Sequence, residues 1–347
     1  MKKERDTTID IGKGLCIYLM VLGHCLFYGN VHHIIYLFHM PFFFFVSGFF
    51  LKVNSDWSVF FVQKTKRLLL PLGIYWIFAT IIKVLENILG KHQIEFVFAD
   101  IGPLWFLISL WTIFMLSYIT IKLTKYVKWI WGGIIILPLI GYLLVSQNIR
   151  CPLYLVQSLI MFPMFLLGYI CYNISLPWKR NNTETVYSIL ASNRIFVLIF
   201  SFVALCSYIY VPFGNLDLSS LQLPSAFSLY TAALFGIILV FTVAKMLSKC
   251  LLLKNMLTIM GSKSMHILGF HFPILTTVYL VAIPIVIRFE KLFGLPLMTG
   301  EDIKFNTPWL AIVMSVLVTY VSLNVGKYLE HRYPILFGVI KKNKIDD

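Results

Sequence analysis

Apolar runs recur along the chain at lengths that suit a bilayer rather than a globular core. Ten stand out, at roughly 12–29, 34–52, 68–89, 103–121, 129–146, 153–175, 195–212, 225–244, 264–287 and 309–328, each near the ~20 apolar residues with which an α-helix crosses the hydrocarbon layer. Several carry Gly or Pro, which a spanning helix tolerates where neighbouring helices re-satisfy its backbone. The polar segments between the runs are short, and the longest, 177–193 and 288–308, cannot hold a second domain. No repeat of fixed period is present. The pattern predicts an all-α polytopic integral membrane protein of about ten transmembrane helices, folded as a single domain over 1–347 with a short arm at 1–11 and a tail at 329–347.

Composition supports that reading. Hydrophobic residues make up 59% of the 347 and charged residues only 13%, half the ~25% usual in soluble domains, so most of the surface faces something other than water. The opening "MKKERDTTIDIGKGLCIYLMVLGHC" has the outline of a signal peptide. However, Glu4, Asp6 and Asp10 fall where such a segment is basic, Lys13 adjoins the apolar run, and no A-x-A cleavage site follows; it reads as a retained first helix.

Charge then gives an orientation. With the N-terminus inside and ten spans, 23 of the 29 Lys and Arg residues fall on the inner side, so both termini are expected to be cytoplasmic. This bias accounts for the formal net charge of +14 without nucleic acid as a partner. The six cysteines lie mostly in apolar runs without pair spacing, which indicates neither a disulfide framework nor a zinc site.

Against this apolar background a few residues stand out. Lys13 and His24 are eleven positions apart on the first span; at about 100° and 1.5 Å per residue they share a face to within roughly 20° and sit ~16 Å apart along the axis. Asp10, three residues before Lys13, lies on the same side. His39 in "LFHMPFFFFVSGFF" and His24 each lie five residues from the outer end of their spans, so the two imidazoles can share a depth and face a common cavity. His271 in "SMHILGFHFPIL" again precedes a proline.

An ionisable group inside a membrane span is a functional candidate because burying it is costly. A neutral histidine bonded to a backbone carbonyl is the competing account for all three, more so for His39 and His271 beside their prolines. No local spacing among the histidines indicates a metal, and His32 and His33 read as a solvated outer loop. Cys25 points about 100° away from His24 and makes no thiol–imidazole pair with it. Ser47 in "FVSGFF" either donates a hydrogen bond into a cavity or lets two helices approach closely. Trp105 lines a substrate cavity or belongs to an interfacial aromatic belt. Lys66 and Arg67 are either phosphate ligands or topology signals near anionic lipid.

Taken in order, "DIGKGLCIYLMVLGH", "YLFHMPFFFFVSGFFL", "KTKRLLLPLGIYW", "GPLWFLISL", "MGSKSMHILGFHFPIL" and "LEHRYPILFG" resemble the acyltransferase-3 family of integral membrane acyltransferases, over about residues 5–340. The resemblance implies transfer of an acyl group, commonly acetyl, from cytoplasmic acyl-coenzyme A (acyl-CoA) to a hydroxyl of a glycan or lipid-linked saccharide of the cell envelope. It further implies a multi-pass protein of the plasma (inner) membrane. The family's first-helix motif is an Arg followed ten residues later by His. Here His24 is that His, Lys13 holds the Arg position, and Asp10 matches the acid before it. Lys keeps the charge but loses the bidentate phosphate geometry. Some relatives carry an appended extracytoplasmic transferase domain, and this chain is expected to be the stand-alone form.

Together these readings give His24 as general base, Lys13, Lys66 and Arg67 as holders of the acyl-CoA phosphates, and Asp10, His39, Ser47, Trp105 and His271 as lining for the substrate cavity, with no metal. A polysaccharide exporter also uses broken helices and intramembrane ionisable groups. It predicts two similar halves, which the sequence lacks.

Overall fold

The structure, a computed structural model, describes residues 7–25, 30–88, 101–123, 127–173, 194–210, 216–293 and 308–338. The segment 177–193, most of 288–308, the first six residues and the tail beyond Gly338 lie outside the described residues. Among the described residues the chain is built of helices: α1 Thr7–Cys25, α2 Asn30–Gly48, α3 Trp57–Ile88, α4 Trp105–Leu123, α5 Val127–Ser146, α6 Leu155–Asn173, α7 Arg194–Tyr210, α8 Ala226–Leu247, α9 Leu251–Ser262, α10 Ser264–Phe293 and α11 Pro308–Arg332. Seven of them are long and apolar enough to cross a membrane by length and composition. α5, α7 and α10 coincide with three further apolar runs.

The helices depart from the apolar runs in four places. α1 starts at Thr7, so the stretch 1–11 is not wholly an arm, and Asp10 lies inside a helix. α2 starts at Asn30, which puts His32 and His33 on a helix instead of in a loop. α3 reaches back to Trp57 and takes in the basic stretch at 64–67, where Lys64 sits over the Phe114 ring at 3.5 Å. This cation–π contact lets the ammonium stand beside an apolar bundle. Finally, α9 occupies what the hydropathy pattern leaves as a connection. Its 12 residues reach only ~18 Å, short of a ~30 Å hydrocarbon layer.

α1 is the central helix and touches α2, α8, α9, α10 and α11. Its contact with α9 is backbone to backbone: a Cβ on Gly14 would run into the Leu257 carbonyl, and one on Gly261 into the Asp10 carbonyl. α2 meets α6 in the same way, with Gly48 against the Phe165 carbonyl and Gly168 against that of Phe45. Small residues at such crossings are how membrane helices gain van der Waals contact when no hydrophobic force drives them together. The phenylalanine run of α2 fills the space beside this crossing: Phe42 lies 5.5 Å from Phe241, Phe44 5.0 Å from Phe106, and Phe49 stacks on Tyr172 at 4.9 Å.

The outward faces are apolar. Ile77 and Ile81 on α3, Ile135, Leu139 and Leu143 on α5, and Val313, Val316 and Tyr320 on α11 are all exposed at helical spacing, a surface that fits lipid. The start of α1 and the end of α11 lie at one end of the bundle, where Gly261 abuts Asp10 and Lys263 pairs with Glu330. His24 lies at the other.

Candidate active site

A cavity of about 410 Å³ opens at the His24 end. Met20 and His24 of α1 form one wall, Tyr36, His39 and Met40 of α2 another, and Leu268 and Phe272 of α10 a third. Three connections close it: Gly102 and Pro103 before α4, with Trp105 at its first position, Tyr154 before α6, and the turn 216–220 ahead of α8. Pro103 and Pro152 each sit in a 3-10 turn at a helix entrance, where a missing N–H costs nothing.

The imidazoles are held differently. His39 donates from Nδ1 to the Ile35 carbonyl at 2.8 Å. His271, fully buried, donates from Nδ1 to the carbonyls of Leu268 at 2.8 Å and Ile267 at 3.1 Å. A carbonyl accepts only from a protonated nitrogen, so in both neutral rings Nε2 is the acceptor. The bonded carbonyls belong to each ring's own preceding helical turn; the ones left free by Pro41 and Pro273 are not used. The His271 Nε2 is buried, with no hydrogen-bond partner among the described residues. Its ring lies 5.1 Å from that of His24. His24, only partly buried, has Nδ1 3.4 Å from the Tyr36 hydroxyl, and Tyr36 lies between the His32 ring at 4.1 Å and the His39 ring at 4.9 Å. His32 in turn bonds through Nδ1 to the Gly23 carbonyl at 2.8 Å, so it ties α2 to α1 and is no solvated loop residue.

The rim opposite the histidines is built on strained backbone. Leu153 and Tyr154 have φ of 56° and 51°, and Leu221 has φ of 65°, conformations that cost bulky residues about 1–3 kcal/mol each. They persist because side chains pin them. Thr112 Oγ1 donates to the Leu153 carbonyl at 2.9 Å, and Ser158 Oγ to the Tyr154 carbonyl at 2.9 Å. In the turn after Leu216, the Asp217 carboxylate accepts from the Ser219 N–H, the Ser219 hydroxyl and the Ser220 hydroxyl.

The other end of α1 is ionic. Lys13 Nζ lies 3.6 Å from the Asp10 carboxylate. Nearby, Glu330 of α11 accepts from Lys263 Nζ and, at 3.1 Å, from His266 Nε2; Tyr75 of α3 donates its hydroxyl to His266 Nδ1 at 3.2 Å. Lys66 and Arg67 are exposed at the same end, where the turn at Gly338 abuts the Lys66 carbonyl. Between Lys13 and His24 the shared face of α1 is packed shut, with Ile17 and Met20 1% and 2% exposed.

Of the residues singled out in the sequence, His24, His39 and Trp105 therefore line the cavity, and His271 stands behind His24. Asp10 and Ser47 do not line it. Ser47 sits at the far end of α2, beside the close approach of Gly48 to α6. Lys13, Lys66 and Arg67 belong to the opposite end. Tyr36, Asp217 and Tyr154 were missed. Tyr36 was open to detection, being spaced four residues after His32 and three before His39 on one helix face, whereas nothing in the sequence marks Asp217 or Tyr154. Among the described residues no group of three or more His, Cys, Asp or Glu side chains is placed to hold a metal ion.

Fold and site together define a multi-pass membrane protein with an imidazole-lined cavity set among its helices. The chain matches the family model described as an acyltransferase domain over residues 6–325, and it belongs to that family, acyltransferase-3, whose members are O-acyltransferases. The protein is an acyl-transferring membrane enzyme. Comparison with curated proteins and with solved structures returns no match.

Proposed function

We propose that the protein moves an acyl group, acetyl in the simplest case, from acyl-CoA held at the Lys13 end to a hydroxyl of an envelope glycan or lipid-linked saccharide received in the His24 cavity. The observation that carries this reading is that His24, on a helix whose other end bears an ion-paired lysine, opens into a cavity of about 410 Å³. The Lys13 end is cytoplasmic and the cavity faces the outside of the plasma membrane, in keeping with the 23 of 29 basic residues on the inner side.

At the inner end Lys13, Lys66 and Arg67 attract the donor's phosphates, and Asp10 holds Lys13 in register. The donor supplies an activated acyl carbonyl on sulfur. In the cavity, His24 donates Nδ1–H to the Tyr36 oxygen, which leaves Nε2 as the base. His24 takes the hydroxyl proton on Nε2 as the acceptor oxygen bonds to the acyl carbon. When the carbon–sulfur bond breaks, the same proton passes to the leaving thiolate. His271 fixes the imidazole from behind. Ile17 and Met20 are buried on the face of α1 between the two ends, and Met20, unbranched and on the cavity wall, is the side chain that moves aside to admit the acyl group.

The test is turnover of radiolabelled acetyl-CoA by the purified protein in lipid, with an envelope-glycan fraction as acceptor. His24→Ala is expected to lower transfer by about 10²–10⁴-fold while leaving acetyl-CoA binding intact, and Lys13→Ala to weaken that binding. Transfer that survives His24→Ala undiminished removes the base. No binding and no turnover by the wild type removes acetyl-CoA as the donor.

A further inference from the structure

We propose that the acceptor site extends beyond the His24 cavity into a second subsite that takes an acidic saccharide unit adjoining the one acylated; this rests on the acyltransfer reading for its first subsite. A second cavity of about 310 Å³ lies against the first. The two share Tyr154, Ser219 and Ser220, so they lie on either side of one wall, with the imidazoles beyond one face and Arg150 beyond the other. Each volume alone is at the small end of what ligand sites use. The adjoining pair, spanned across that wall, suits an acceptor of two or more rings better than a single sugar.

The wall between the two cavities suits a saccharide. The Tyr154 ring, 5.9 Å from that of Trp105, offers an aromatic face with a polar tip. Ser219 and Ser220 supply hydroxyl oxygens whose protons are already committed to Asp217. Gln157, buried, donates to the Ser219 carbonyl at 3.3 Å and holds this turn against α6. The strained residues Leu153, Tyr154 and Leu221 all line the second cavity. Strain pinned by hydroxyl donors is characteristic of walls that a ligand uses.

Charge selects the class. Among the described residues that line the two cavities, Arg150 is the sole Lys or Arg, and it lies only in the second. Asp217, the sole carboxylate among them, lies only in the first and repels an acid there. The pair thus favours a neutral ring at His24 and an anionic group one unit away, where a guanidinium can take a carboxylate or a phosphate by paired hydrogen bonds.

Three trisaccharide probes test this on the full chain in lipid nanodiscs: maltotriose carrying a carboxylate on one terminal ring only, maltotriose phosphorylated on one terminal ring only, and maltotriose itself as the neutral control. At least one acidic probe is expected to bind about 10-fold more tightly than maltotriose, and which one does identifies the acid. Arg150→Gln should abolish that advantage and leave maltotriose binding unchanged, while Arg150→Lys keeps part of it. Equal affinity for all three, no binding of any, or an advantage that survives Arg150→Gln overturns the proposal. Arg150-dependent binding without acetyl transfer to any acceptor would sink the acyltransfer reading and leave the subsite standing.

Discussion

At the His24 end of the bundle the polar groups are imidazoles, phenols and hydroxyls, whereas fourteen residues earlier on the same helix the polar groups are carboxylates and ammoniums. The Glu330 network at the one end and the groups behind the cavity at the other also differ in how far their bonding is completed. Glu330 accepts from Lys263 and His266 together, and His266 accepts from Tyr75, so four side chains from α3, α10, α11 and the α9–α10 junction satisfy one another. Behind the cavity the His271 Nε2 has no hydrogen-bond partner among the described residues, and the rim keeps bulky residues at positive φ. A network that closes on itself fastens helices, whereas a cluster with an unmet acceptor and an open volume is arranged for something that is not part of the chain.

Substitutions at the two ends should therefore fail in different ways. The larger effect on chemistry is expected at His271. His271→Ala should lower kcat for acyl transfer by about 10–100-fold with acceptor KM little changed, and His271→Gln should restore part of the loss. If KM and kcat fall together with thermal stability, His271 is a packing residue and nothing more. At the other end, Glu330→Ala strips Lys263 and His266 of their acceptor. Because these groups are partly solvated, the expected loss is about 2 kcal/mol, between the values for exposed and buried pairs, read as a lower thermal midpoint in nanodiscs. Residual activity per folded molecule should change by less than about threefold, well under 1 kcal/mol. A Glu330→Ala protein that is stable but inactive would make that network part of the machinery and erase the contrast.

Much of this was legible in the sequence, and the parts that were not have physical reasons. Spans show because roughly twenty apolar residues in a row have few other uses. The face shared by Lys13 and His24 shows because helical geometry fixes angles between residues of one helix. Contacts across helices carry no such periodicity. Hence His271 could be named as a buried candidate but not put 5.1 Å from His24. Tyr154 and Asp217 sit in connections whose turns are set by backbone strain and side-chain caps. α9 was missed for another reason. Its apolar residues at 251–253, 256–257 and 259–260 form a run too short to register as a span, and its helix is anchored to α1 through Gly14 and Gly261.

The central claim is that donor and acceptor are received at opposite ends of α1. It is tested most directly in sealed vesicles with the protein in one known orientation, radiolabelled acetyl-CoA on one side only and a glycan acceptor on the other. Labelled acceptor should form only when acetyl-CoA faces the Lys13 end, and Lys13→Ala should raise the acetyl-CoA concentration needed. Equal labelling with acetyl-CoA supplied at the His24 end, indifferent to Lys13→Ala, would contradict the account.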